Sequence, residues 1–123
     1  MARIVIVEDD SEVRCALKEI LEGARHEVRE ARNGEIGLAM CQQERPDVVV
    51  LDILMPEKDG LETTLELVKT LPETKIIAIS GARMEGGLDV LDMAKKFGAH
   101  CTLVKPIEAK ELIHTLRHVL NEI

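Results

Sequence analysis

Val48-Val49-Val50-Leu51 is an unbroken run of apolar, mostly β-branched side chains. A strand with one wet face alternates apolar and polar residues, so a continuous run needs cover on both faces. That requirement confines the chain to folds in which a sheet lies between two other layers. Residues 4–7 and 75–79 have the same character. Between these runs the apolar spacing turns helical. Residues 11–22 carry Val13, Leu17, Ile20 and Leu21, with Gly23 as the expected stop. Residues 27–31 form a weaker strand, Val28 standing between polar neighbours, which suits an edge. Asn33-Gly34 opens a second helix that runs to about Glu44 and is closed by Pro46.

The second half repeats the alternation. Met55-Pro56 to Asp59-Gly60 is a loop rich in turn residues. A helix over 61–71 follows, with Pro72 beyond it, and Ser80-Gly81 ends the strand at 75–79. Gly86-Gly87 marks a turn, or a hinge, before a fourth helix at 88–97. Its apolar residues form two stripes, more than one core face needs. Residues 102–104 are the last strand, broken by Pro106, and a final helix carries Leu112, Leu116, Val119, Leu120 and Ile123. Five strands alternating with five helices predict an α/β fold with a parallel sheet between helical layers, in a single domain over residues 1–123. Among the few common orders the choice is 2-1-3-4-5, the doubly wound, flavodoxin-like (βα)5 arrangement.

Composition excludes several functions. Phe97 is the only aromatic residue, so base stacking has no support, and the net charge of −7 disfavours direct nucleic-acid or membrane binding. No apolar run approaches the roughly 18–20 residues that span a bilayer, and no leader is visible, so the expectation is a cytoplasmic protein. Cys15, Cys41 and Cys101 form no metal or redox motif, and Cys15 and Cys101 read as small hydrophobes within apolar stretches. His114 and His118 lie one helical turn apart without an obvious third ligand, and read as a surface face.

In the 2-1-3-4-5 order the winding reverses between the first and third strands, and ligands bind beyond their carboxyl ends. Glu8, Asp9 and Asp10 wait there after the first strand, Asp52 after the third, Ser80 after the fourth and Lys105 after the fifth. Asp10 with Ser11 also suits a helix cap. Carboxylates about 4 Å apart repel by on the order of 4 kcal/mol per pair at an effective dielectric near 20, so a cation is expected among them. Hard oxygen ligands left partly open suit Mg²⁺. A carboxylate beside that ion can attack phosphorus, with Ser80 and Lys105 holding the remaining phosphoryl oxygens.

Val5-Ile6-Val7-Glu8-Asp9-Asp10 resembles the acidic end of the first strand in bacterial response-regulator receivers, and Arg14 falls where that family often has Arg. Residues 46–60, with Asp52-Ile53-Leu54-Met55-Pro56-Glu57-Lys58-Asp59-Gly60, are similar to its phosphoacceptor segment. Ala94, Gly98-Ala99 and Leu103-Val104-Lys105-Pro106 are similar to its closing pattern. The resemblance covers the whole chain. It implies that Asp52 accepts the phosphoryl group, and that Asp9, Glu8 (through water), Asp52 and the Leu54 carbonyl hold Mg²⁺. Ser80 becomes the switch hydroxyl, Lys105 the phosphate-binding lysine, and Lys105-Pro106 a cis bond.

The chain departs from the family at several places. Ile36-Gly37 replaces the usual Glu-Ala, and Thr102 stands where an aromatic switch residue is usual. Leu54 and Ala82 occupy the two positions that tune phosphoryl lifetime. The implied function is a switch in a two-component or phosphorelay system rather than a turnover enzyme. Its implied partners are a sensor histidine kinase or histidine phosphotransfer protein, with an effector or second copy on the face made by the last two helices and the strand between them. No output domain is visible within residues 1–123, and a single-domain regulator and a piece of a longer protein are both open. Rivals remain. A haloacid-dehalogenase-type phosphatase needs a second Asp at position 54, which is Leu, and a flavin carrier needs a hydroxyl-rich loop where Glu8-Asp9-Asp10 stands. A degenerate receiver used only as a binding module is kept open by Thr102.

Overall fold

A computed structural model describes residues 1–54, 60–81 and 90–121. The strands are β1 (Arg3–Val7), β2 (Glu27–Ala31), β3 (Val48–Asp52), β4 (Lys75–Ser80) and β5 (Cys101–Val104). They alternate with α1 (Ser11–Gly23), α2 (Gly34–Glu44), α3 (Gly60–Thr70), α4 (Val90–Phe97) and α5 (Ala109–Val119). All neighbours pair in parallel, in the order β2-β1-β3-β4-β5. The predicted order is therefore the observed one, with β2 at an edge.

The continuous apolar runs have a simple physical cause. Side chains on a strand alternate between faces, and each face here has its own core. Val5, Val7, Val49, Leu51, Ile76 and Ala78 pack on one side, with Leu67, Val90, Leu91 and Ala94. Ile4, Ile6, Val48, Val50, Ile77 and Ile79 pack on the other, with Leu17, Leu21, Leu112 and Leu116. Val48 to Leu51 are all fully buried. At about 1.5–3 kcal/mol for each large apolar side chain removed from water, these central strands are the main stabilising contribution.

Three readings change. Cys15 is exposed and Cys101 partly buried, while Cys41 is the cysteine that fills the core. Burial, with a smaller push from Glu44, raises the Cys41 thiol to about 12, so it is an inert apolar filler. α1 ends at Gly23 as expected, and the left-handed conformation beyond it falls to Arg25, at φ 70°. Both Val90 and Leu91 enter the core, and Met93 and Phe97 are half-buried, so the described part of α4 keeps no spare apolar stripe. The last helix ends at Val119 rather than continuing through Leu120. The expectations for residues 55–59, 82–89 and 122–123, including Ala82 and Gly86-Gly87, lie outside the described residues.

One departure from the family pattern finds its reason here. A Cβ on Gly37 would lie 2.5 Å from Val7 Cγ2, so α2 approaches β1 too closely for the usual alanine.

Candidate functional site

The carboxyl ends of β1, β3, β4 and β5 bring the expected residues together. Glu8 follows β1 and is completely buried, Asp52 closes β3 at 3% exposure, and Ser80 closes β4 at 1%. Asp9 is exposed, so the cluster opens to solvent on its side. Carboxylate oxygens of Glu8, Asp9 and Asp52 all lie within 4.8 Å of one another. Lys105, one residue past β5, is tied to Ser80 through its backbone N–H, which donates to the Ser80 carbonyl at 2.9 Å. Its ammonium nitrogen lies 2.6 Å from Glu8 Oε1 and 3.1 Å from Asp52 Oδ2. The Lys105-Pro106 bond is cis.

Local structure fixes each carboxylate. Asp10 is the N-cap of α1, its Oδ1 accepting from Glu12 N at 2.9 Å and Val13 N at 3.3 Å. It is thus a capping residue, and its own N–H donates to Glu8 Oε2 at 3.1 Å. Asp52 Oδ1 accepts from the Leu54 N–H at 3.1 Å, which ties the Leu54 backbone to the site while its side chain stays 46% exposed. Gly60 has no room for a side chain, since a Cβ would sit 2.4 Å from Ile53 Cα and 2.5 Å from the Asp52 carbonyl oxygen. Those neighbours are backbone atoms that cannot swing aside, so α3 starts pressed against the end of β3.

The electrostatics follow from burial. Glu8 is pushed up to about 7, mainly because burial penalises its charge. The Lys105 ammonium and the Asp10 N–H pull it back, and Asp52 pushes it further up. Burial also works against the charge on Lys105, but Glu8 and Asp52 outweigh it and hold its pKa above the ordinary value. Despite the short ion-pair distance, Glu8 Oε1 has no partner with hydrogen-bond geometry. A buried carboxylate oxygen in that condition, beside two more carboxylates, fits a hard cation. The acidic pocket can bind a metal.

Two features were not evident in the chain. Arg14 donates to the Glu8 carbonyl at 2.9 Å through Nη1 and to Glu30 Oε1 at 2.9 Å through Nε, holding the turn after β1. Glu30 is held below the usual carboxylate range by Arg14 first and Lys18 second. Its position across the β1–α1 turn could have been inferred only from the pairing of β1 with β2. Lys105 was expected to face phosphate, and its contact with Glu8 carried no local signal. Away from the cluster, Thr102 lines a cavity of about 340 Å³ with Cys101, His114 and His118. Among the described residues no third ligand stands close enough to that histidine pair to complete a metal site.

Comparison with known proteins agrees with this geometry. Residues 4–117 match the response regulator receiver domain family. The chain is 37% identical over 120 residues to protein PilH of Pseudomonas aeruginosa, covering 98% of both chains. It is 36% identical over 117 residues to the chemotaxis protein CheY of Listeria monocytogenes, covering 94% of this chain and 96% of that one. Among solved structures, Vibrio cholerae CheY4 superposes with a TM-score of 0.86 at 29% identity, covering 97% of this chain and 98% of that one. A CheY-like receiver from Methanospirillum hungatei gives 0.90 at 27% identity, covering 98% and 94%. A single parallel sheet between two helical layers, with an acidic cluster at its switch point and a match along nearly the whole chain, places this chain in the response regulator receiver domain family.

Proposed function

We propose that Asp52 accepts a phosphoryl group from a phosphohistidine of a sensor histidine kinase or histidine phosphotransfer protein, and that this modification switches the domain. An Asp52 carboxylate oxygen bonds to phosphorus as the P–N bond breaks, and the imidazole leaves with the electron pair and takes up a proton. Lys105 and the Ser80 hydroxyl hold the phosphoryl oxygens, and Lys105 already lies 3.1 Å from Asp52 Oδ2. Glu8, Asp9, Asp52 and the Leu54 carbonyl would hold Mg²⁺, which neutralises charge developing on the phosphoryl oxygens. The likeness to PilH and CheY supports a signalling role rather than turnover of a diffusible substrate. Extra negative charge at Asp52 would bias a two-state equilibrium read by an effector, or by a second copy, on the α4–β5–α5 face.

The observation that carries this reading is the convergence of three carboxylates within 4.8 Å, closed off on one side by the Lys105 ammonium. The test is acetyl phosphate with Mg²⁺, followed by intact-mass measurement. One phosphoryl group should be added, and Asp52→Asn should abolish the addition. Labelling that survives the substitution, or that proceeds fully in EDTA, overturns the assignment.

A further inference from the structure

The cavity of about 340 Å³ beside β5 is lined by Lys95 of α4, Cys101 and Thr102 of β5, and His114, Thr115 and His118 of α5. One thiol and two imidazoles therefore share a single space, and these are the side chains that bind borderline and soft metal ions. Cys101 opens β5, whereas Lys105 follows its end. The length of the strand, about 13 Å at 3.3 Å per residue, thus separates this cavity from the acidic cluster.

The placement of the three donors favours convergence. His114 and His118 are four residues apart on α5, so their side chains leave one face a turn apart, with Cβ atoms about 5–6 Å from each other. Cys101 packs against the core layer that holds Leu112, Leu116 and Val119, so its thiol lies on the α5 side of the sheet. Cα atoms of α5 and β5 approach within 8 Å. Both histidines are exposed and Cys101 is half-buried, so an ion can enter from solvent. Thr102 and Thr115 are short and leave the space unfilled.

As they stand, the three donor atoms are not all within 4.8 Å of one another. Exposed side chains exchange rapidly between staggered rotamers, so the histidines can turn toward the thiol when an ion arrives. Lys95 lines the α4 side, where its charge opposes a cation. Its side chain is exposed, and its flexible stem lets the ammonium turn away into water.

We propose that Cys101, His114 and His118 form a second metal site, for Zn²⁺, separate from the acidic cluster. The Cys101 thiol gives its proton to solvent as sulfur bonds to the ion at about 2.3 Å, and each histidine supplies one ring nitrogen at about 2.0–2.1 Å. Water takes the fourth position. The two sites differ in softness, since Mg²⁺ prefers oxygen ligands and leaves thiolate and imidazole to zinc. A bound ion ties the last helix to the last strand.

Titration with Co²⁺, a coloured stand-in for Zn²⁺, tests the proposal in excess Mg²⁺, which competes for the acidic cluster. One Co²⁺ per chain is expected, with the near-ultraviolet absorption of a thiolate–cobalt bond. Zn²⁺ should displace it and raise the melting temperature by binding the folded state. Cys101→Ser should remove the absorption, while Cys15→Ser, at the exposed cysteine, should keep it. His118→Ala should weaken Co²⁺ binding by more than about tenfold, and His114→Ala repeats the test at the other imidazole. No thiolate absorption, absorption that survives Cys101→Ser, or binding indifferent to both histidine substitutions overturns the site.

Discussion

Leu54 is the apolar residue beside the Asp52 carboxylate. It stands two residues past Asp52, shares a backbone hydrogen bond with that carboxylate, and offers no polar group to orient water. Under the proposed chemistry the phosphoryl group leaves only when water attacks phosphorus, so slow loss is expected. Leu54→Asn should shorten the lifetime of the modified protein by about tenfold, less than the roughly hundredfold or more of a full general base, because an amide orients water without taking its proton. Following the added mass after removal of acetyl phosphate measures it. A native half-life of seconds, or a variant with an unchanged lifetime, would show that position 54 does not control the water. At this scale the residue types of the cluster were readable from order along the chain. The ion pair between Lys105 and Glu8 was not, because 97 positions separate them (105 minus 8) and no local pattern encodes that approach.

Elements are held at their ends by contacts of a different kind. Asp10 and Asn33 cap α1 and α2, and replacing such a cap by alanine typically costs about 1 kcal/mol. The start of β4 is fastened by His100, whose ring Nδ1 accepts from the Ile76 N–H at 3.1 Å while the His100 backbone N–H donates to the Ile76 carbonyl at 2.8 Å. An accepting Nδ1 must be unprotonated. Burial first, and the charge of Lys75 second, lower the His100 pKa below its ordinary 6.5. The folded state therefore binds fewer protons than the unfolded one in that window. Its contribution is fully present above pH 6.5 and is lost as pH falls through the lower folded value. Urea titrations between pH 7.5 and pH 5 should show His100→Asn losing this acid-side decline. Glu8, raised to about 7, contributes with the opposite sign, so the quantity to read is the difference between the two proteins. A difference that stays constant with pH would remove the His100 link. Neither this fastening nor the departure at Gly37 has a periodic signature; each exists because one residue of a loop or helix meets a strand laid down elsewhere in the chain.

Across the whole molecule the acidic cluster opposes folding and Lys105 partly offsets it. Three carboxylates and one ammonium leave a local excess of two negative charges, which Asp52→Asn reduces to one. Without metal, at pH 8, the variant should be more stable by about 1 kcal/mol, after solvent and salt screening of the pairwise repulsion. Mg²⁺ should stabilise the native protein by binding the folded state alone, and the variant less. Urea titrations with and without Mg²⁺ decide it. If Asp52→Asn is clearly destabilising in EDTA, the Lys105 pair outweighs the repulsion. The layered fold, the strand order and the end of the sheet that carries the acids followed from the amino-acid sequence. A strand buried on both faces must be apolar at every position, and parallel strands joined by right-handed crossovers have few arrangements. Which cysteine lies in the core, which glycines have no room for a Cβ, and how Lys105 divides itself between Glu8 and Asp52 were decided only by tertiary structure. Those are distances between remote segments, set by how helices settle on the sheet, and side-chain periodicity carries no information about them.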